Sequence, residues 1–589
     1  MLTYIGAHLS YTLPVIGVLT LITRPFINRL EIFKIGFISV LAVLYTIPWY
    51  SYFVYNHGAK TYSPGAVLAV VGNVPVEEYM FVVMQTVLTS LWALMFVQWS
   101  TPCLNFNYDK RSYQLIRWLP ISLLTVVTAV GYAMAARGQE TFYLGSMMCW
   151  ASPAIALMWY GAGNFFVKKI IPSSIAIAGP TLYMCWVDRM TVDDDGNNDS
   201  GKLMPEEALF SFITNLMVVL AGSSYDKAYG MIVTYSLDFP HQFSISCKFV
   251  RQMLRAFLTS EYATPSDVTR DIKTSVKVLS TSNAFGTSNY LFHAGIRLDL
   301  IILYAFCRVT DEMFDTRSDE KKKKVKLELS KQFISEIFAD RKSDYDVKKT
   351  PQEVKIDWKK YETEFTDVEL ASYRAVSRIA FFLPRKPFEE LFAGYQWDLE
   401  FTLVRNEKDL MLYTSYVAGS IGAMCLYVIM YRYGNDMNEL VDNADYLTKH
   451  AYKIGQGLQL VNIARDLVSD SESLGRCYFP AEYMDDEKED LRILRQEKNP
   501  RSLGNKKLKK YSSKMIQLAN KQQFESVGAI KYLPQDLIGS VLASTEMYRG
   551  LIKAIQSCPT YPTRASLPKL SKLLIVLNTL YIKSIQYIF

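Results

Sequence analysis

Seven apolar stretches follow one another within the first 222 residues of this 589-residue chain, near 4–23, 36–55, 78–97, 117–136, 142–161, 170–187 and 207–222. All but the short last one have the length at which a helix crosses the hydrocarbon layer of a bilayer. The first has no basic segment ahead of it and no small-residue cleavage site, so it reads as a retained span and not as a signal peptide. Lys and Arg are richer in the loops after the first, third and fifth stretches (Arg24, Arg29, Lys34; Lys110, Arg111, Arg117; Lys168, Lys169) than after the others. The positive-inside rule then places the C-terminal half in the cytosol.

Beyond residue 245 the pattern changes to charged, helical and ordinary for a soluble protein. The formal net charge of +7 suits an anionic partner such as lipid headgroups or phosphates. Nucleic acid is excluded, because the basic residues form no aromatic-interleaved stripe and no finger motif. The lysine run at 321–324 reads as a solvated helix face or loop within a mixed-charge segment, about 316–360; a second such segment spans 484–512. Eight scattered cysteines without a CxxC pair or partnered histidines argue against zinc and for reduced thiols. "GAGNFF" at 161 lacks the glycine spacing and strand of a nucleotide loop and reads as a helix break.

Two of the apolar stretches open alike. "PVEEYMF" at 75 is echoed by "MPEEALF" at 204, so Glu77, Glu78 and Phe81 correspond to Glu206, Glu207 and Phe210. The pattern is three spans, one connecting span and three spans again. Displacement by an even number of crossings keeps both pairs at one membrane face, where parallel repeats build shared sites. Proline followed by acids also suits any helix N-terminus, and capping by one glutamate is compatible with chemistry by the other. A carboxylic acid in a low-dielectric setting can protonate an alkene, and a neighbouring carboxylate can stabilise the cation or take a proton back.

The later half carries two acidic columns. In "YAFCRVTDEMFD", Asp311 and Asp315 are four apart on one helix face. In "GLQLVNIARDLVSD", Asn462, Asp466 and Asp470 repeat at the same interval, with Gln459 beside them. Each alone could be a solvated face. Two such columns facing one another across a bundle form an oxygen cage suited to Mg²⁺ bridged to phosphates.

"LYAFCRVTDEMFD" and "LQLVNIARDLVSD…GRCYFP", with "PFEELFAGYQWDLE" and "SYVAGSIGAM" between them, resemble the phytoene and squalene synthase family of class I isoprenoid synthases over about residues 270–585. The repeat of the first half is similar to the small membrane lycopene β-cyclases that occur as paired subunits in some bacteria. The two together resemble the fused cyclase–synthases of fungi. Where that family often carries a tryptophan before each glutamate pair, this chain reads "YNHGAKTYS" and "DDDGNNDSGK".

The resemblance implies an all-α protein. A seven-helix transmembrane domain with a parallel internal repeat would occupy 1–222 (repeats about 1–97 and 142–222). A linker over 223–245 and an all-α synthase domain over 246–589 would follow. It implies head-to-head joining of two geranylgeranyl diphosphates to phytoene, with Mg²⁺ or Mn²⁺ held by Asp311, Asp315, Asn462, Asp466 and Asp470. Arg308, Arg465, Gln459, Tyr413, Tyr416 and Asp398 would bind substrate. It implies redox-neutral closure of lycopene ends into β-rings by Glu77, Glu78, Glu206 and Glu207, with no cofactor. The bilayer is a partner, and the desaturation that must separate the two reactions leaves room for association with a phytoene desaturase. The competing readings are a squalene- or dehydrosqualene-type synthase on an inert anchor, and a seven-span transporter or receptor with a cytosolic domain.

Overall fold

The computed structural model describes residues 6, 8–57, 68–137, 139–192, 204–235, 247–280, 289–315, 320–339, 341, 354–433, 440 and 442–588. The loops that precede the two glutamate pairs, 58–67 and 193–203, lie outside these residues. The chain divides into two units, one of residues up to 236 with 245–266, the other of 237–244 with 267 onward. Both are helical, and the described strands are a single two-stranded hairpin.

The first unit is built from α1 (Leu13–Thr23), α2 (Arg29–His57), α3 (Val76–Val97), α4 (Lys110–Ala135), α5 (Gln139–Lys168), α6 (Ile170–Val192), α7 (Met204–Tyr235) and α8 (Cys247–Leu258). Among the described residues, seven helices of this unit are long and apolar enough to cross a membrane. Their outward faces stay apolar, as Leu21, Leu44, Leu119, Leu157 and Leu182 show. That inversion of the soluble pattern is what a lipid solvent requires. The inner core gathers Tyr50, Met147, Trp150, Ala176, Phe210 and Leu220.

Two expectations change here. Residues 223–235, expected as linker, are the last turns of α7. Their charges find partners inside the bundle: Asp226 pairs with Lys34 at 3.1 Å, and Lys227 is fully buried. "GAGNFF" does not break α5, which runs through to Lys168. Gly161 instead gives room to the Phe257 ring, since a Cβ there would fall 1.9 Å from it.

The second unit contains α9 (Ser266–Ser280), α10 (Ala294–Asp315), α11 (Glu320–Ile337), α12 (Asp367–Ser377), α13 (Lys386–Leu399), α14 (Glu407–Tyr433, with a π-turn at Ser415–Gly419), α15 (Ala444–Leu474), α16 (Gly504–Val527), α17 (Gln535–Ser557) and α18 (Lys569–Asn578). Composition alone would let α14 span a membrane, yet it packs within this bundle. Arg432 near its end pairs with buried Asp299 of α10 at 2.6 Å. The lysine run lies on α11, with Lys321, Lys322 and Lys324 exposed and Lys323 donating to the Phe314 carbonyl at 2.9 Å. On its opposite face α11 buries Leu327, Phe333 and Ile334 in the core.

Candidate functional site

Each unit carries its own constellation of carboxylates, and the two differ in kind. In the first unit the hairpin Val70–Val71/Val74–Pro75 turns back over the start of α3, with Gly72 at φ +62° in its turn. That fold returns the Leu68 amide to the Glu77 side chain, where it donates to Oε1 at 2.7 Å. Glu77 and Glu78 are buried, at 0% and 1% exposure. The second oxygen of Glu77, Oε2, is buried with no hydrogen-bond partner. One oxygen is thus anchored by a backbone donor and the other is left for chemistry.

The environment of these acids is aromatic. Phe81 stands one turn along α3, with its ring 5.6 Å from that of buried His8. His8 lies within the electrostatic reach of both Glu77 and Glu78. Tyr143 of α5 lies within reach of Glu206, Glu207 and Glu78, so members of the two pairs converge on one side chain. Beside Tyr143, the Trp49 ring stacks on Trp150 at 4.9 Å and on Phe210 at 6.2 Å. Such ring faces stabilise a passing cation. Deeper in the bundle, Gln85 of α3 donates to Thr214 of α7 at 2.7 Å and to Asn215 at 3.2 Å, and Thr89 donates to Asn215 at 2.7 Å. Neither His8 nor Tyr143 stands out in the sequence, although a histidine in an apolar run is a cue.

In the second unit, α10 carries Asp311 and Asp315 at its C-terminal end and α15 carries Asn462, Asp466 and Asp470. After α15 the chain turns at Gly475, whose φ of +64° is one that glycine adopts without strain. This turn aims Arg476 and Tyr478 back at the acids. Arg476 pairs with Asp315, and the Tyr478 hydroxyl donates to Asp398 Oδ1 at 2.9 Å. Tyr413 donates to the other Asp398 oxygen at 3.0 Å. Arg465 pairs with Asp466, and Arg564 from the C-terminal segment reaches it at 3.2 Å. Arg308 bonds Asp311 at 3.2 Å and Glu312 at 2.9 Å on the half-exposed rim. Asn462 donates to Gln459 at 3.2 Å, while its own side-chain oxygen is buried without a hydrogen bond. Tyr416 sits half-buried in the π-turn, with no hydrogen bond to these carboxylates.

Arg476, Tyr478 and Arg564 complete the site without having been singled out. The first two lie in "GRCYFP", which the sequence did mark as a motif, whereas nothing marks Arg564. The electrostatics show a site crowded with negative charge. Asp470 is pushed up to about 8, first by burial and then by Asp466 and Asp315. Asp311 is raised by desolvation and by Asp315, and Asp398 is pushed up to about 6 by burial, with Arg476 opposing. On α10 both acids are met by arginines, Asp311 by Arg308 and Asp315 by Arg476, whereas on α15 arginines hold Asp466. Among the described residues, no three acidic, histidine or cysteine side chains stand close enough to hold a metal ion by themselves. The donor set is nevertheless all oxygen, with excess negative charge and an unpartnered amide oxygen. It fits a hard divalent cation that shares its shell with phosphate and water.

Residues 280–573 match the squalene/phytoene synthase family. Over 600 residues the chain is 31% identical to a Blakeslea trispora protein named bifunctional lycopene cyclase/phytoene synthase, covering 99% of this chain and 96% of that one. The Phycomyces blakesleeanus protein of the same name matches at the same identity and coverage. The Neurospora crassa counterpart is 27% identical over 626 residues, across 99% of this chain and all of its own. A crystal structure of a dehydrosqualene synthase aligns with 54% of this chain and 98% of its own at 18% identity and a TM-score of 0.39.

Proposed function

The chain belongs to the bifunctional lycopene cyclase/phytoene synthase family, and from this premise we propose that its two constellations of carboxylates carry out the two reactions separately. The second unit condenses two geranylgeranyl diphosphates to phytoene; the first closes the linear ends of lycopene into β-rings.

For the condensation, the supporting observation is the pair of acidic columns on α10 and α15, each partly neutralised by arginine. Asp311, Asp315, Asn462, Asp466 and Asp470 would hold Mg²⁺ or Mn²⁺, which when bound neutralises the diphosphate as it leaves. Arg308, Arg465 and Arg476 are placed to transfer their bonds from carboxylates to phosphate oxygens, a bidentate match for either group. Tyr413 and Tyr478 stack at 4.8 Å and both donate to Asp398. This holds their ring faces beside the acids, where an allylic cation would form. Purified protein given geranylgeranyl diphosphate should yield phytoene. Product from farnesyl diphosphate alone would replace this reading with a squalene-type synthase.

For the cyclisation, the carrying observation is Glu77, buried, anchored through one oxygen and free at the other. A protonated carboxyl gives its proton to the terminal double bond of lycopene, and the next double bond closes the ring on the resulting cation. A neighbouring carboxylate of the Glu78, Glu206 and Glu207 group then takes a proton from the ring. One proton enters and one leaves, so no redox partner is required. The repeat is supported by the bond between Gln85 and Thr214, which are 129 positions apart, the same offset that relates Glu77 to Glu206. Equivalent positions meet in this way on the axis of a parallel repeat.

The synthase unit belongs on the cytosolic side. The basic ends of α2 and α4 share a face with residues 247–262, through Phe33 against Phe249 and Gln114 bonded to Tyr262 at 3.0 Å. The product of one unit must be desaturated before it serves the other, which leaves room for association with a phytoene desaturase. Expression in lycopene-accumulating cells tests the cyclase: β-rings should appear, and lycopene left linear would remove the assignment.

A further inference from the structure

Helix α8 (Cys247–Leu258) divides its circumference among three environments. Phe249 and Ala256 are buried against the bundle, and Phe257 fills the space beside Gly161. Val250, Leu254 and Leu258 are 43%, 61% and 58% exposed. Lys248, Arg251 and Arg255 are exposed too, and none forms an ion pair among the described residues. At 100° per residue, the apolar three cover about 80° of the helix, and the basic three begin about 20° beyond them. The buried residues lie on the remaining side.

The helix is also fixed in place. Lys227 of α7, fully buried, donates to the carbonyls of Ala256, Phe257 and Thr259 at 2.8, 3.2 and 2.6 Å. These are the orphan acceptors of a helix C-terminus, and a buried cation is their strongest partner. Glu261, just beyond, accepts from the Asn107 amide at 3.1 Å, and Arg117 reaches Ser260 at 3.5 Å. Helix α8 is therefore bound to the ends of α4 and α7, the same end of the bundle that carries Lys110 and Arg111.

We propose that α8 is an interfacial helix that seats Val250, Leu254 and Leu258 at the acyl boundary and sets Lys248, Arg251 and Arg255 against anionic phospholipid headgroups. Two features select lipid as the occupant. The apolar stripe lies on a helix packed against spanning helices whose outward faces are apolar, and the adjoining row carries the charge that complements an anionic leaflet. Because Lys227 pins the helix, the contact is built into the fold and does not wait on binding energy to form. The function is recruitment: an anionic lipid shell at the base of the bundle.

The test uses the full chain in nanodiscs, with bimane attached at Leu254→Cys in a Cys247→Ser background and the signal of the unsubstituted parent subtracted. Quenching is measured with nitroxide-bearing phosphatidylserine and, separately, phosphatidylcholine. Both lipids should quench, and at low mole fraction phosphatidylserine should do so several-fold more strongly. Substituting Lys248, Arg251 and Arg255 together by Gln should retain quenching by both lipids and abolish the preference. Phytoene formation by that variant should remain at the parent's rate, which shows that it folds. Quenching by neither lipid overturns the proposal, since the stripe is then covered by protein. Equal quenching by both lipids in the parent overturns the anionic-lipid assignment.

Discussion

Glu77 and Glu78 of the first unit are buried among hydrocarbon and ring faces, with Glu206 and Glu207 half-buried, whereas the acids of the second unit stand beside arginines at a polar opening. Glu77 has a backbone amide on one oxygen and nothing on the other. Asp315 and Asp466 each carry a guanidinium. The difference matches what each site must move. A dry carboxyl near a neutral polyene can exchange only a proton. A cluster of carboxylates balanced by arginines can accept a cation and hand its arginines to a polyanion. Both are pairs of acids near helix ends, and their surroundings decide the chemistry.

The sharpest way to break this contrast is Glu77→Gln, which keeps the hydrogen bond to Leu68 and removes the proton. Cyclisation should fall by about 10²–10⁴-fold, the range for losing a general acid, with condensation of geranylgeranyl diphosphate unchanged. Retained ring formation would transfer the role to another acid. The converse change, Asp315→Asn, should lower the condensation rate by about 10²–10³-fold and leave cyclisation intact, read in the same preparation. A variant that harms both reactions would show that the sites are not separable.

A smaller effect concerns stability. Glu261 is held up to about 7, chiefly by burial, with the Lys227 charge and the Asn107 amide opposing. Its folded form therefore keeps a proton that the unfolded chain releases near 4.5. Folded protein binds more protons across that window, so stability of the first unit falls as pH rises from about 4.5 to about 7. Thermal melting of the detergent-solubilised chain should show that slope, and Glu261→Gln should flatten it. The smallest change is at Gln85. Gln85→Leu removes its bonds to Thr214 and Asn215, and should cost about 1 kcal/mol, the scale of polar contacts between membrane helices.

Much of this was legible in the residues. The repeated glutamates and the two acidic columns stand in plain periodicity, and so does the all-helical division of the chain. What escaped did so for physical reasons. The span ending at 222 continues to 235 because Asp226 and Lys227, which lower the apparent hydropathy, are paired inside the bundle. Gly161 looks like a break, yet it is a contact whose other half, Phe257, lies about a hundred positions away. The hairpin that returns Leu68 to Glu77 is local, spanning nine positions across the Gly72-Asn73 turn, and it escapes notice because its strands are only two residues long.

The buried ammonium of Lys227 bears on how such a chain can be divided between two genes. Its three bonds tie residues 256–259 to the last spanning helix, so a cut at the polar stretch near 240 would strand α8 on the wrong polypeptide. A cut after Ser266, the last residue of the first unit, keeps Lys227 and its acceptors on one polypeptide. A split made there would leave each product with its own core and its own carboxylates. A split some twenty residues earlier would leave Lys227 buried with no acceptors.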